Sequence, residues 1–331
     1  MFSTDILMYL VIVLSLLFNF INGFHDTANA VASSIGTRAL TPDRAILISA
    51  LFNLAGALSS TSVALTIGKG VVRAEMINQQ ILIAALSGAI IWNLITWYFG
   101  IPSSSSHALI GGLAGSVIVA EGTKAIIAKG FYKVLLSLIV SPLLGLFFGF
   151  TIMTLFFWIF RNANPKRSNR KFRRLQVLSS AMTAFSNGSN DAQKTMGIIT
   201  LALFTAHRID QFAVPLWVTL ACSVAMALGT ASGGQKIIKT VGNKIFKLQP
   251  VNGFAADLSS STVILGATFL GAPVSTTHVV SSSIMGVGAA KRLRAVKWGV
   301  AQNIITAWFL TIPFSALIGA AIYFIEKLLL A

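Results

Sequence analysis

Charge is what this chain has least of. Only 10% of its 331 residues are Asp, Glu, Lys or Arg, and nine of those are acidic. A soluble protein of this length needs far more polar surface to cover its core, so a soluble fold is excluded. Cysteine is also nearly absent. Cys222 stands alone, which rules out a disulfide within the chain and any CxxC metal or redox site, and it reads as a small helix-packing residue. The stretch Met1 to Leu10 has no basic flank ahead of its apolar run, so no cleavable signal peptide is expected and the first segment is retained. No Gly-x-Ser-x-Gly elbow occurs either, which leaves a serine hydrolase built from Ser106, His107 and Asp26 without its nucleophile turn. The chain is not expected to be an enzyme.

What is present is apolar. Hydrophobic residues make up 55% of the chain, and mean hydropathy is +0.80, the composition of a polytopic membrane protein. Uncharged, mostly apolar runs at 6–22, 45–68, 76–120, 134–160, 211–235, 258–290 and 298–325 approach or exceed the length of a bilayer crossing. Several are long enough for more than one span, giving about ten membrane segments in an all-α chain. The formal net charge of +16 could suggest nucleic acid, but the cations lie in the short connections between apolar runs, so no nucleic-acid partner is expected. The densest group is Arg161, Lys166, Arg167, Arg170, Lys171, Arg173 and Arg174, which the positive-inside rule places in the cytoplasm. Lys291, Arg292, Arg294 and Lys297 follow the same rule. The amphipathic stretch from Lys236 to Lys247 is not assigned to a side.

Two pairs of motifs recur in order. Asn22-Gly23-Phe24-His25-Asp26-Thr27-Ala28-Asn29 in the first half is matched by Asn187-Gly188-Ser189-Asn190-Asp191-Ala192-Gln193-Lys194 in the second. Gly100-Ile101-Pro102-Ser103-Ser104-Ser105-Ser106-His107 is matched by Gly271-Ala272-Pro273-Val274-Ser275-Thr276-Thr277-His278. The chain therefore divides into a first transmembrane repeat at 1–160, a basic cytoplasmic linker at 161–175 and a second repeat at 176–331. An odd number of spans in each half would make the two repeats inverted, the common layout of secondary transporters.

The motifs carry polar groups to membrane depth, where they are costly unless they hold something. Asp26 and Asp191 must be paired, protonated or bound to a cation. With Asn22, Asn29, Asn187 and Asn190 they offer hard oxygens to a small cation or a proton. The Gly-x-x-Asp spacing also permits a local break in the helix that frees backbone carbonyls. Gly-x-Pro before a run of hydroxyls reads as the turn of a re-entrant hairpin, whose Ser or Thr caps the next helix. Two such helix N-termini can hold an oxyanion. His107 and His278 follow the hydroxyls as ligand, structural or proton-carrying groups. His207, beside Arg208 and Asp210, reads as solvated. Lys194, where the first half has Asn29, reads as a partner of an aspartate or a countercharge to an anion. A passive anion channel has no need of two carboxylates that repel its own ion.

These four ordered motifs, spread over nearly the whole chain, resemble the inorganic phosphate transporter (PiT) family. The resemblance implies inverted repeats, two re-entrant hairpins, a homodimer in the cell inner membrane, contact with lipid, and symport of inorganic phosphate with a cation. Carried over by position, Ser104, Ser105, Ser106, Ser275, Thr276 and Thr277 would surround phosphate, with Gln193 a further candidate. Asp26, Asn29, Asn190 and Asp191 would serve the cation, with His25 and Lys194 in the same coupling set. The four cation residues would be metal ligands if sodium is the coupling ion. Sodium-coupled members tend to carry Asn-Asp-Val-Ala-Asn in both halves, whereas here His25 and Gln193-Lys194 depart from it. The variant resembles a proton-coupled bacterial branch, some of whose members take phosphate as a complex with a divalent metal. No resident cofactor is expected, and sulfate remains an alternative tetrahedral substrate.

Overall fold

A computed structural model describes residues 4–233, 245, 246 and 248–330. Lys236, Lys239, Lys244 and Lys247 lie outside the described residues. Eleven α-helices run through the described part: α1 Thr4–Gly36, α2 Pro42–Ala57, α3 Ser62–Gly70, α4 Gln79–Tyr98, α5 Ser105–Glu121, α6 Ala128–Ile159, α7 Pro165–Thr205, α8 Leu216–Ser232, α9 Pro250–Phe269, α10 Thr276–Lys291 and α11 Trp298–Leu330. Among the described residues three short 3-10 turns join them, and no strand forms beyond one bridge between Val72 and Ile126. Helix starts follow local chemistry. Pro42 and Pro250 open α2 and α9, where the missing N–H costs nothing, and the Asn78 side chain accepts from the Ile81 N–H to cap α4.

Among the described residues four helices, α1, α4, α6 and α11, are long and apolar enough to cross a membrane. A fifth crossing forms if α2 and α3, bent by 65°, count as one. The remaining helices are shorter or carry the polar motifs. Helices α6 and α11 show what covers the molecule, since Leu143, Phe147, Trp158, Phe309 and Leu317 are all exposed on them. Such an apolar surface is stable against lipid rather than water. The chain is thus a multi-pass, all-helical membrane protein.

The two halves interlock. Helix α1 packs on α8 and α7 on α2, while α5 lies against α4 and α11, and α10 against α6 and α9. The Asn-Gly elements sit at the first two crossings. A Cβ at Gly23 would collide with the backbone of Met226 and Thr230, and one at Gly188 with the backbone of Asn53. This corrects the expectation of a helix break at Gly-x-x-Asp. Helices α1 and α7 run unbroken through Asp26 and Asp191, because the glycines admit a neighbouring backbone rather than open their own. The basic stretch 161–175 is likewise mostly helix, since α7 begins at Pro165 and only 160–164 separate it from α6. Its Arg161, Arg167, Arg170, Lys171, Arg173 and Arg174 are exposed, as are Lys291, Arg292, Arg294 and Lys297.

Candidate functional site

The apolar tracts 76–120 and 258–290 each fold as a helical hairpin, α4 with α5 and α9 with α10. The turns depend on Gly100 and Gly271, with φ of 66° and 63°, a region open to glycine at little cost. An extended segment then leads into a capped helix. Ser104 Oγ accepts from the His107 N–H at 3.1 Å, and Ser275 Oγ accepts from the His278 N–H at 3.3 Å. The hydroxyls therefore cap the second helix of each hairpin as expected. The tips meet: Ser106 Oγ donates to the Val274 carbonyl at 3.0 Å, and the His107 and His278 rings lie 4.5 Å apart.

Against these tips stand the two aspartates, both buried, from the middles of α1 and α7. Asp26 accepts from Thr277 Oγ1 at 2.7 Å, Ser105 Oγ at 3.1 Å and Asn29 Nδ2 at 3.1 Å. Asp191 accepts from Thr276 Oγ1 at 2.7 Å and from Lys194 Nζ at 2.5 Å. Each aspartate has a polar neighbour three residues on, which reaches the hairpin of the other half. Asn29 Nδ2 also donates to Thr277 Oγ1 at 3.0 Å, while Lys194 Nζ donates to Ser106 Oγ at 2.5 Å and the Val274 carbonyl at 2.7 Å. The α-helical spacing explains this: residues three apart share a face, so Asp and its neighbour project together.

Other candidates are placed differently. Gln193 does not join the hydroxyls; its Oε1 accepts from the N–H groups of Val63 at 2.7 Å and Ala64 at 3.3 Å, capping α3. Asn190 braces the second hairpin tip, its Nδ2 donating to Thr268 Oγ1 and the Ala272 carbonyl while its Oδ1 accepts from the Val274 N–H. His25 stands at the corresponding tip of the first hairpin, with long contacts of 3.4 Å to Asp26, Thr96 and Ser103. His107 Nδ1 lies 2.7 Å from Ser104 Oγ, and His278 stacks on Trp308, so both rings pack behind the tips. Cys222 is buried in α8, and His207 is exposed in a loop where Arg208 pairs with Asp5.

The arrangement buries ionisable groups against one another. Asp26, Asp191 and Lys194 are each at most 3% exposed, so two acidic side chains and one basic one face each other with little access to solvent. The side-chain oxygens of Asn22, Asn29 and Asn187 are buried with no hydrogen-bond donor, which leaves acceptors free for a cation or a protonated ligand. Among the described residues no group of three or more His, Cys, Asp or Glu converges, so a multidentate transition-metal site is absent there.

Comparison with known proteins decides the family. The phosphate transporter family profile matches residues 22–169 and again 161–319. The chain belongs to the phosphate transporter family. It is 50% identical over 327 residues to a Bacillus subtilis (strain 168) protein named "Probable low-affinity inorganic phosphate transporter", covering 98% of each chain. A protein of the same name from Rhizobium meliloti (strain 1021) is 44% identical, covering 96% of each. The solved structure of "The sodium-dependent phosphate transporter" superposes with a TM-score of 0.90 at 30% identity, covering 97% of this chain and 99% of that one.

Among the described residues, this family member holds one buried carboxylate that the motifs do not include. Asp257 in α9 accepts from Ser33 Oγ at 2.6 Å and Ser179 Oγ at 2.8 Å, with no basic partner among the described residues. Sequence reasoning passed over it because it borders the apolar run beginning at 258 and has no counterpart in the first half. The available signal was its rarity, as one of nine acids flanked by Phe254, Ala255, Ala256 and Leu258.

Proposed function

We propose that the protein is a secondary active symporter that imports inorganic phosphate with a coupling cation by alternating access. The observation that carries this reading is the pairing of the hydroxyls of two capped hairpin helices with two buried carboxylates, Asp26 and Asp191. Hydroxyls and helix N-termini suit a tetrahedral oxyanion. The carboxylates oppose it, since unit charges at about 4 Å repel by about 4 kcal/mol at an effective dielectric of about 20. Neutralising the carboxylate charge that Lys194 does not already answer, by a proton or cation, therefore precedes anion binding, and that order is the physical basis of coupling. Ser105, Ser106, Thr276 and Thr277 are the phosphate ligands in this reading. Ser104 and Ser275 fix the helix ends, and Gln193 on α7 caps α3 rather than joining the ligand shell. A protonated phosphate can donate to a carboxylate, whereas sulfate at neutral pH cannot, which favours phosphate.

Protons are the proposed coupling ion, because His25 and Lys194 stand where a sodium site would need neutral oxygens. Sodium is the second reading, favoured by the likeness to a solved structure named as sodium-dependent; Asp26, Asn29, Asn190 and Asp191 would then include its ligands. Phosphate carried as a complex with a divalent metal belongs to the same proposal. So do the homodimer, the inverted repeats of about ten segments with re-entrant hairpins, and the inner membrane with the 161–175 stretch cytoplasmic. Radiolabelled phosphate uptake into proteoliposomes tests the core of it, under a pH gradient without sodium and then a sodium gradient without a pH gradient, each with sulfate as competitor. Uptake under the pH gradient alone is expected. Asp26→Asn and Asp191→Asn should each abolish concentrative uptake while leaving the protein in the membrane, and full accumulation by either refutes the role assigned.

A further inference from the structure

Asn29 and Lys194 hold matching places with different chemistry. Each lies three residues after its aspartate, donates to that aspartate, and donates again to a hydroxyl of the opposite hairpin. The amide oxygen of Asn29 is buried and receives no hydrogen bond, so the first half keeps an acceptor beside Asp26. The second half keeps none at this place. An ammonium has three donors, and those of Lys194 meet Asp191 Oδ1, Ser106 Oγ and the Val274 carbonyl. Lys194 is 2% exposed, so its charge is answered by these protein groups and not by water.

We infer that the Lys194 ammonium is a built-in counter-cation, standing where the first half of the site admits an exchangeable one, so that a single coupling cation accompanies each phosphate. The inference rests on the symport reading above and specifies its stoichiometry. An ammonium hydrogen-bonded to a carboxylate, a hydroxyl and a carbonyl takes the ligand types that a small hard cation would take. Being tethered, it neutralises Asp191 in every state of the cycle and carries no charge across the membrane. Asp26 is left as the carboxylate that must be neutralised from solution. The titratable groups around the pair are Asp26 and His25 on α1, Asp191 on α7, His107 on α5 and His278 on α10.

The test measures phosphate uptake by purified protein in proteoliposomes as a function of coupling-cation concentration, with charge moved per phosphate taken from the reversal potential. Wild type is expected to depend on the cation to first order. Lys194→Asn, which copies the amide of the first half, is expected to shift to second order with one further charge per phosphate. Lys194→Ala is expected to slow at least about tenfold in choline buffer, since breaking a buried pair is costly, and to recover when ammonium or sodium is added. Second-order wild type overturns the inference. So does a Lys194→Asn protein that transports with first-order dependence, or a monodisperse Lys194→Ala protein restored by neither cation, which would make Lys194 a direct phosphate ligand. Wild type that takes up no phosphate under either gradient refutes the symport reading instead.

Discussion

At the residue scale, the site is a set of short bonds between hydroxyls and two carboxylates. Thr277 and Ser105 both donate to Asp26; in the proposed reading they turn to bound phosphate, and a hydrogen bond to a charged group contributes about 1.5–3 kcal/mol. Thr277→Val and Ser105→Ala are therefore each expected to weaken half-saturating phosphate by roughly ten- to hundredfold. The concentration dependence of initial uptake rate measures this, and unchanged values for both would remove these hydroxyls from the site. Gln193 behaves differently because its oxygen satisfies α3 N–H groups. Gln193→Ala is expected to cost about 1 kcal/mol of stability, as lost helix caps do, with phosphate affinity unchanged. Thermal unfolding in detergent, set beside uptake kinetics, separates the two. The sequence could mark Gln193 as polar and buried, but its partner lies about 130 residues away and only folding brings α3 to it.

At the element scale, what matters is how closely helices approach and how the hairpins turn. Gly188 lets α7 touch the α2 backbone at Asn53. Gly188→Ala forces those helices apart, with an expected loss on the order of 1–3 kcal/mol, the usual cost of overpacking. Gly271→Ala meets a different obstacle, a φ of 63° that costs an L residue about 1–2 kcal/mol. Both show as lower midpoints in thermal unfolding, and Gly271→Ala should also impair uptake because the displaced turn carries Ser275 to Thr277. The hairpins were legible from Gly-x-Pro and a following hydroxyl, because turn and cap chemistry is local. The unbroken course of α1 and α7 was not, since the same glycine serves a break or a close crossing and the choice depends on a partner helix.

At the scale of the whole molecule, orientation can be measured with the chain's own chemistry. Cys222 is fully buried, so a membrane-impermeant maleimide should leave wild type unmodified in intact cells and in inverted vesicles. Asn162 is exposed between α6 and α7. Asn162→Cys is expected to react in inverted vesicles and not in intact cells, as a cytoplasmic basic connection requires. Labelling of intact cells would reverse the orientation.

Composition alone determined the environment: a chain with 10% charge and long apolar runs cannot be stable in water and must be helical in lipid. The order and spacing of the paired motifs marked most of the candidate site, because a helix puts Asp26 beside Asn29, and Asp191 beside Lys194, without outside help. Tertiary structure decided which hydroxyl each pair reaches. Asn29 meets Thr277 and Lys194 meets Ser106 only because the halves interlock, across 248 and 88 residues of chain. The same long-range packing left Asp257 with two serines and gave Gln193 to α3. Contacts at such separation depend on how several helices cross at once, and no local pattern of residues encodes that.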